Sequence, residues 1–205
     1  MQLRHELLHE GLDAGADTLG WHLAQEHITC SRATIWRILK AAGKVTAQPQ
    51  KRPRSSWLRF VADRPNELWQ SDYTQTLLDD GTPVEIIGWL DDHSRYLTHL
   101  SAHRRITGQI VTYTFTTAAH THGYPTATLT DNGMVYTTHY AGGGRGRPEG
   151  TGNAFETLLA LHGITQKNGK PYKPTTQGKI ERFWQTLAKH LRTQTTPTLT
   201  DLPPT

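Results

Sequence analysis

Leu68-Trp69-Gln70-Ser71-Asp72-Tyr73-Thr74-Gln75-Thr76-Leu77 places an acid in the middle of a run that otherwise reads as a β-strand. Turn signals bound it, Pro65-Asn66 before and Asp79-Asp80-Gly81 after. Neither turn formation nor helix capping explains Asp72, and a buried strand carboxylate is costly unless paired or bound to a metal. Outward from this strand, Val84 to Leu90 is a nearly continuous apolar run and Tyr96 to Ser101 a third strand, with a turn at Asp91-Asp92-His93-Ser94 between them. The three predict a meander.

Ile110, Val111, Thr114, Phe115, Ala118 and Ala119 then recur at helical spacing until Gly123-Tyr124-Pro125, and a short strand, Thr126 to Thr130, leads into Asp131. Asn153 with Glu156 three residues on predicts a capped helix that buries Phe155, Leu158, Leu159 and His162. Ile164 to Asn168 is an expected edge strand. The last helix, starting near Thr175 or Thr176, carries Ile180, Phe183, Trp184, Leu187, Ala188 and Leu191 as one apolar stripe. Three strands followed by helix, strand, helix, strand, helix predict an α/β fold with a mixed sheet and helices packed on it.

Residues 1–45 read as a small helical domain. Leu3, Leu7, Leu8 and Leu12 form one stripe, and Leu19 with Leu23 starts a second. A third helix opens at the N-cap Ser31 and carries Ile35, Ile38 and Leu39 inward before Gly43. This predicts a helix-turn-helix with Arg32, Thr34 and Arg37 directed toward a DNA major groove. Residues 46–63 form an expected basic linker, in which Lys51, Arg52 and Arg54 can track phosphates. Residues 64–194 are the expected catalytic core, with a Gly-rich insertion loop at 142–153, and 195–205 an expected disordered tail.

A formal charge of +4 and a pI near 9.3 permit a polyanionic partner. The single Cys30 excludes an internal disulfide, and no Cys/His spacing suits zinc. No apolar run approaches the roughly 18 residues of a membrane span. With no start of signal-peptide type, the chain is expected in the cytoplasm, at the nucleoid.

Three acids stand out. Asp72 lies inside a strand, Asp131 follows one, where open α/β folds place ligands, and Glu181 borders the apolar stripe of the last helix. Transfer of a phosphodiester by two Mg²⁺ ions requires hard oxygen ligands around ions about 3.5–4 Å apart, and carboxylates supply them. Asp79, Asp80, Asp91 and Asp92 fall in turn-like clusters and read as structural.

With Gln70-Ser71-Asp72-Tyr73-Thr74, Leu90-Asp91-Asp92-His93-Ser94-Arg95-Tyr96, Leu129-Thr130-Asp131-Asn132-Gly133 and Thr176-Gln177-Gly178-Lys179-Ile180-Glu181-Arg182-Phe183 quoted, the chain resembles the DDE transposases with a retroviral-integrase core. More narrowly, it is similar to the bacterial insertion-sequence group that joins helix-turn-helix units to that core. The resemblance implies a ribonuclease-H-like fold and DNA strand cleavage and strand transfer dependent on two Mg²⁺, with Mn²⁺ as a substitute. It implies Asp72, Asp131 and Glu181 as metal ligands and catalytic residues. Asn132, Gln177, Gly178 and Lys179 would line the DNA path. Element ends and target DNA would be the partners, held by a homo-oligomer of at least two copies.

Three departures accompany the resemblance. Forty-nine residues separate Asp131 from Glu181, more than such enzymes usually carry, and the excess is placed in the Gly-rich loop. Ala188 stands where relatives often have a basic residue, with Lys189 one step round the helix. The sequence ends soon after the last helix, which raises the expectation of a truncated copy. A DNA-binding remnant and a ribonuclease-H-like nuclease are the alternatives.

Overall fold

The computed structural model describes residues 1–45, 61–138, 152–168 and 178–195. Residues 46–60 of the basic linker, with Lys51, Arg52 and Arg54, most of the Gly-rich loop, Gln177 and nearly all of the tail lie outside them, whereas Ala62, expected in the linker, is buried against Leu68, Ala127 and Leu129. The chain divides into two compact units, one built from the first three helices with residues 186–194, the other from the sheet and the elements up to residue 185.

In the first unit, α1 (Gln2–His9), α2 (Ala16–Gln25) and α3 (Arg32–Ala41) bury Leu7, Leu19, Ile35 and Leu39 together. Ser31 caps α3 as expected, its hydroxyl accepting the Thr34 N–H at 3.1 Å. Ile38, expected inward, is 53% exposed. On a ten-residue helix covered on one side, the buried line runs i to i+4 through Ile35 and Leu39, and Ile38 lies about 100° from Leu39. Leu8 is turned out from Leu7 in the same way. At Gly11 the backbone is left-handed (φ 73°), and a Cβ there would stand 2.6 Å from the His190 Cα and 2.7 Å from the Lys189 carbonyl oxygen. Lys189 Nζ meets Asp13 Oδ1 at 2.5 Å, and His190 Nδ1 lies 2.8 Å from the Glu10 carbonyl oxygen.

The second unit holds a five-stranded sheet from β1 (Leu68–Leu77), β2 (Pro83–Asp91), β3 (Leu97–His103), β4 (Ala127–Thr130) and β5 (Thr165–Asn168), in the order β3-β2-β1-β4-β5. The meander pairs antiparallel, whereas β1 with β4 and β4 with β5 pair parallel. The sheet is therefore mixed and β5 lies on its edge, both as expected. The parallel strands require crossovers, supplied by α4 (Gly108–His122) and α5 (Ala154–Leu161).

These helices cover the sheet face that carries Trp69 and Trp89. Trp89 is fully buried among Phe115, Phe155 and Tyr136, with ring centroids 5.0–6.5 Å apart, and its indole N–H donates to Thr114 Oγ1 at 3.1 Å. Such rings bury large apolar areas, and the buried N–H has found a partner. The capping box at Asn153 and Glu156 is present. His162, expected inside, is exposed at the helix end and stacks on Tyr124 at 4.2 Å. Helix α6 (Gly178–Leu191) buries Ile180, Trp184 and Leu187 and leaves Ala188 exposed. No helix among the described residues is long and apolar enough to cross a membrane.

Candidate active site

Parallel pairing of β1 with β4 matches Leu68 to Ala127, Trp69 to Thr128 and Gln70 to Leu129. Asp72 and Asp131 each lie two residues beyond the last matched pair. Side chains repeat every two residues and neighbouring strands run about 4.8 Å apart, so this register brings the two acids alongside one another. Asp72 is half-buried and its carboxyl is raised above the usual range. Burial is the main cause, with the negative charges of Asp131 and then Glu181 adding to it, against lowering by the Tyr73 backbone N–H and the Trp184 indole. The three expected acids thus share one electrostatic neighbourhood.

Each carboxylate also has a local setting. Asp72 Oδ2 accepts the Trp184 Nε1–H at 3.2 Å. Asp131 Oδ1 accepts the Gly133 N–H at 2.9 Å, a turn contact that any Asp-Asn-Gly would make. Glu181 is exposed in the first turn of α6. Among the described residues, no three His, Cys, Asp or Glu side chains already surround one point as a bound ion requires. The negative charges of Asp131 and Glu181 both bear on Asp72, and the donor chemistry of the three acids, all hard oxygen, suits Mg²⁺ or Mn²⁺ rather than a soft metal.

The other acids separate clearly. Asp91 is structural as expected: Oδ1 accepts the Ser94 N–H and Oγ–H, each at 2.7 Å, and Oδ2 accepts the Asn66 N–H at 2.8 Å. Those bonds hold its carboxyl below the usual range despite burial. Asp92 is also structural, but for a reason local sequence does not reveal. It is fully buried, accepts from Ala62 N at 2.7 Å and Gln70 Nε2 at 2.6 Å, and forms an ion pair with Lys179.

Lys179, expected along a DNA path, has its ammonium committed to that pair and to the Asp92 carbonyl oxygen at 3.0 Å. Burial draws its pKa down against the pull of Asp92. Asn132 sits half-buried beside Asp131. A Cβ at Gly178 would meet nothing within 4 Å among the described residues.

On α3, Arg32 Nε pairs with Asp17 Oδ1 at 2.5 Å. Arg37 donates to Thr34 Oγ1 at 3.2 Å, and Thr34 Oγ1 also lies 2.9 Å from Ser31 Oγ. The three residues expected to read bases therefore make contacts within their own unit. Beside them Trp36 is 42% exposed, with Lys40 Nζ 5.1 Å from its ring centroid.

A family model described as integrase core domain matches residues 62–174, and a second of the same description matches 162–203. An uncharacterized 31.7 kDa protein of insertion element IS407 from Burkholderia multivorans is 27% identical over 181 residues, which is 87% of this chain and 60% of that protein. An uncharacterized 39.2 kDa protein of insertion element IS476 from Xanthomonas euvesicatoria is 29% identical over 134 residues. That match takes in 65% of this chain and 35% of that protein. The chain therefore spans less than two thirds of either relative's length. In the cryo-EM structure of a simian T-cell lymphotropic virus intasome with the PP2A regulatory subunit B56 gamma, one chain superposes with a TM-score of 0.50 at 24% identity. The superposition covers 82% of this chain and 53% of that one, and shows the ribonuclease-H-like fold.

Proposed function

Because this chain belongs to the integrase core domain family, we propose that it is a transposase of insertion-element kind that cuts and joins DNA strands, with Asp72, Asp131 and Glu181 holding two divalent cations. The observation that carries this reading is the register that sets Asp72 beside Asp131, together with the upward push that Asp131 and Glu181 exert on the Asp72 carboxyl. The negative charges beside Asp72 disfavour its ionised form until positive charge joins them. A bound pair of Mg²⁺ or Mn²⁺ ions supplies activation of the attacking oxygen and charge stabilisation at the leaving one. The chain's own contribution is to hold its acids on a rigid sheet and on the start of α6, which the Lys179–Asp92 pair fastens to the turn after β2.

DNA binding follows from the same reading. Arg32, Thr34 and Arg37 on α3 would exchange their local partners for base edges and phosphates, while Lys51, Arg52 and Arg54 would follow the backbone. Asn132, Gln177 and Gly178 would flank the scissile phosphate. Two element ends must be joined in one reaction, so the working form is a homo-oligomer, active where the DNA is, in the cytoplasm.

Cleavage and strand joining of labelled terminal-repeat DNA in Mg²⁺ test the proposal, comparing wild type with Asp131→Asn. Loss of both products in the variant is expected. Equal product from the two proteins removes the assigned site, and binding without cleavage by both leaves a DNA-binding remnant.

A further inference from the structure

Gly88 lies in the middle of β2, directly across the ladder from Asp72. Glycine inside a strand sacrifices packing and costs chain entropy, so a physical demand should stand behind it. Here the demand is the Trp184 ring. A Cβ at Gly88 would come within 2.9 Å of Cη2 and 3.5 Å of Cζ2 of that ring, with Leu97 Cδ1 at 3.5 Å. The indole thus lies flush on the backbone next to Asp72 and reaches its Oδ2 with Nε1 at 3.2 Å. An indole N–H only donates, so the bond favours the ionised carboxylate and holds one of its oxygens.

Trp184 also lies three residues after Glu181 on α6, and residues at that spacing share a helix face. One helix therefore carries both an acid of the cluster and the donor that orients another.

We infer that Trp184 is a positioning residue for Asp72, using the slot at Gly88 to hold one carboxylate oxygen and present the remaining lone pairs to a divalent cation. The inference rests on the reading of Asp72 as a metal ligand. Donors of this kind fix the rotamer of a ligand, and their loss typically weakens metal affinity about 10–100-fold.

The test is Mn²⁺ binding by the full chain without DNA, followed by calorimetry and by the loss of the free-ion electron paramagnetic resonance signal. Trp184→Phe keeps a ring in the slot and removes the N–H. Gly88→Ala keeps the indole and pushes it from its seat, which gives a second route should the first variant fold poorly. Leu187→Ala removes another buried side chain of α6 and serves as the packing control. Weakening of the Mn²⁺ dissociation constant about 10–100-fold in the first two, with the control unchanged, is expected. Wild-type affinity in Trp184→Phe overturns the inference, as does equal weakening in Leu187→Ala. A wild type that takes up no Mn²⁺ overturns the metal reading itself and this inference with it, so the two failures are distinct.

Discussion

Replacing Lys179 with alanine leaves the carboxylate of Asp92 buried without its cation. Asp92 has no exposed surface and the Lys179 side chain only 16%, so the few waters that could enter would replace the missing ammonium incompletely. Breaking a buried pair by removing one partner costs about 3–5 kcal/mol. Asp92 keeps two donors, Ala62 N and Gln70 Nε2, which places the loss near the lower end, about 3 kcal/mol. For a chain of this length each kcal/mol moves the melting temperature by about 2–4 °C, so Lys179→Ala should melt about 6–12 °C below wild type. The double variant Asp92→Asn/Lys179→Met removes both charges and should recover at least half of that shift, since an uncharged pair carries no desolvated ion. Thermal unfolding followed by circular dichroism, with chemical unfolding as a check, reads both values. A drop under about 2 °C in Lys179→Ala, or a double variant no better than the single one, would refute the view of this pair as the buried fastening of α6.

Asp72→Asn should stabilise the metal-free protein by on the order of 1 kcal/mol, which raises its melting temperature by about 2–4 °C. The Asp72 pKa is raised in the folded state, so its contribution to stability is full below about 3.8 and is lost as pH rises through the folded value. The variant should lack this loss, and equal pH profiles for the two proteins would contradict it. His99 behaves oppositely. Its ring is buried on β3, Nε2 lies 3.1 Å from Ser101 Oγ, and burial with the nearby His103 pushes its pKa down to about 4. Stability should therefore fall as pH drops from about 6.5 to about 4, by up to about 3 kcal/mol, and His99→Gln should flatten that limb. Unfolding curves across this range that are unchanged by the substitution would count against the buried neutral ring.

Features governed by neighbours in sequence are legible from the residues alone. The strand Leu68–Leu77, the capping box at Asn153 and the left-handed glycine that stops α4 at Gly123 all depend on residues within one or two turns. Among the acids of the candidate site only Asp72, inside a strand, lacks an ordinary local explanation; Asp131 makes an Asp-Asn-Gly turn contact and Glu181 sits in a first helical turn, so their grouping with Asp72 comes from the family resemblance. What stays hidden joins distant segments. Asp92 reads as a turn acid until Lys179 arrives from 87 residues away, and nothing near Gly88 announces that Trp184 will occupy the space of its missing side chain. Ile38 and His162 depart from expectation for another reason: periodicity gives the direction of a side chain but not the width of the surface that covers it. The one signal for Trp184 in the sequence is a large aromatic three residues after Glu181, on the face that an amphipathic helix turns inward.

The close fit at Gly11 bears on the order in which the chain can finish folding. The N-terminal helical unit is written in two places, residues 1–45 and residues 186–194, with the whole sheet encoded between them. A ribosome adding about 5–20 residues each second needs roughly 7–30 s to travel from one to the other. During that interval the three helices stand with the wall at Gly11 uncovered, and the sheet has every strand it needs before the first unit has its last segment. The helical unit, begun before the sheet, is thus completed after the sheet's last strand.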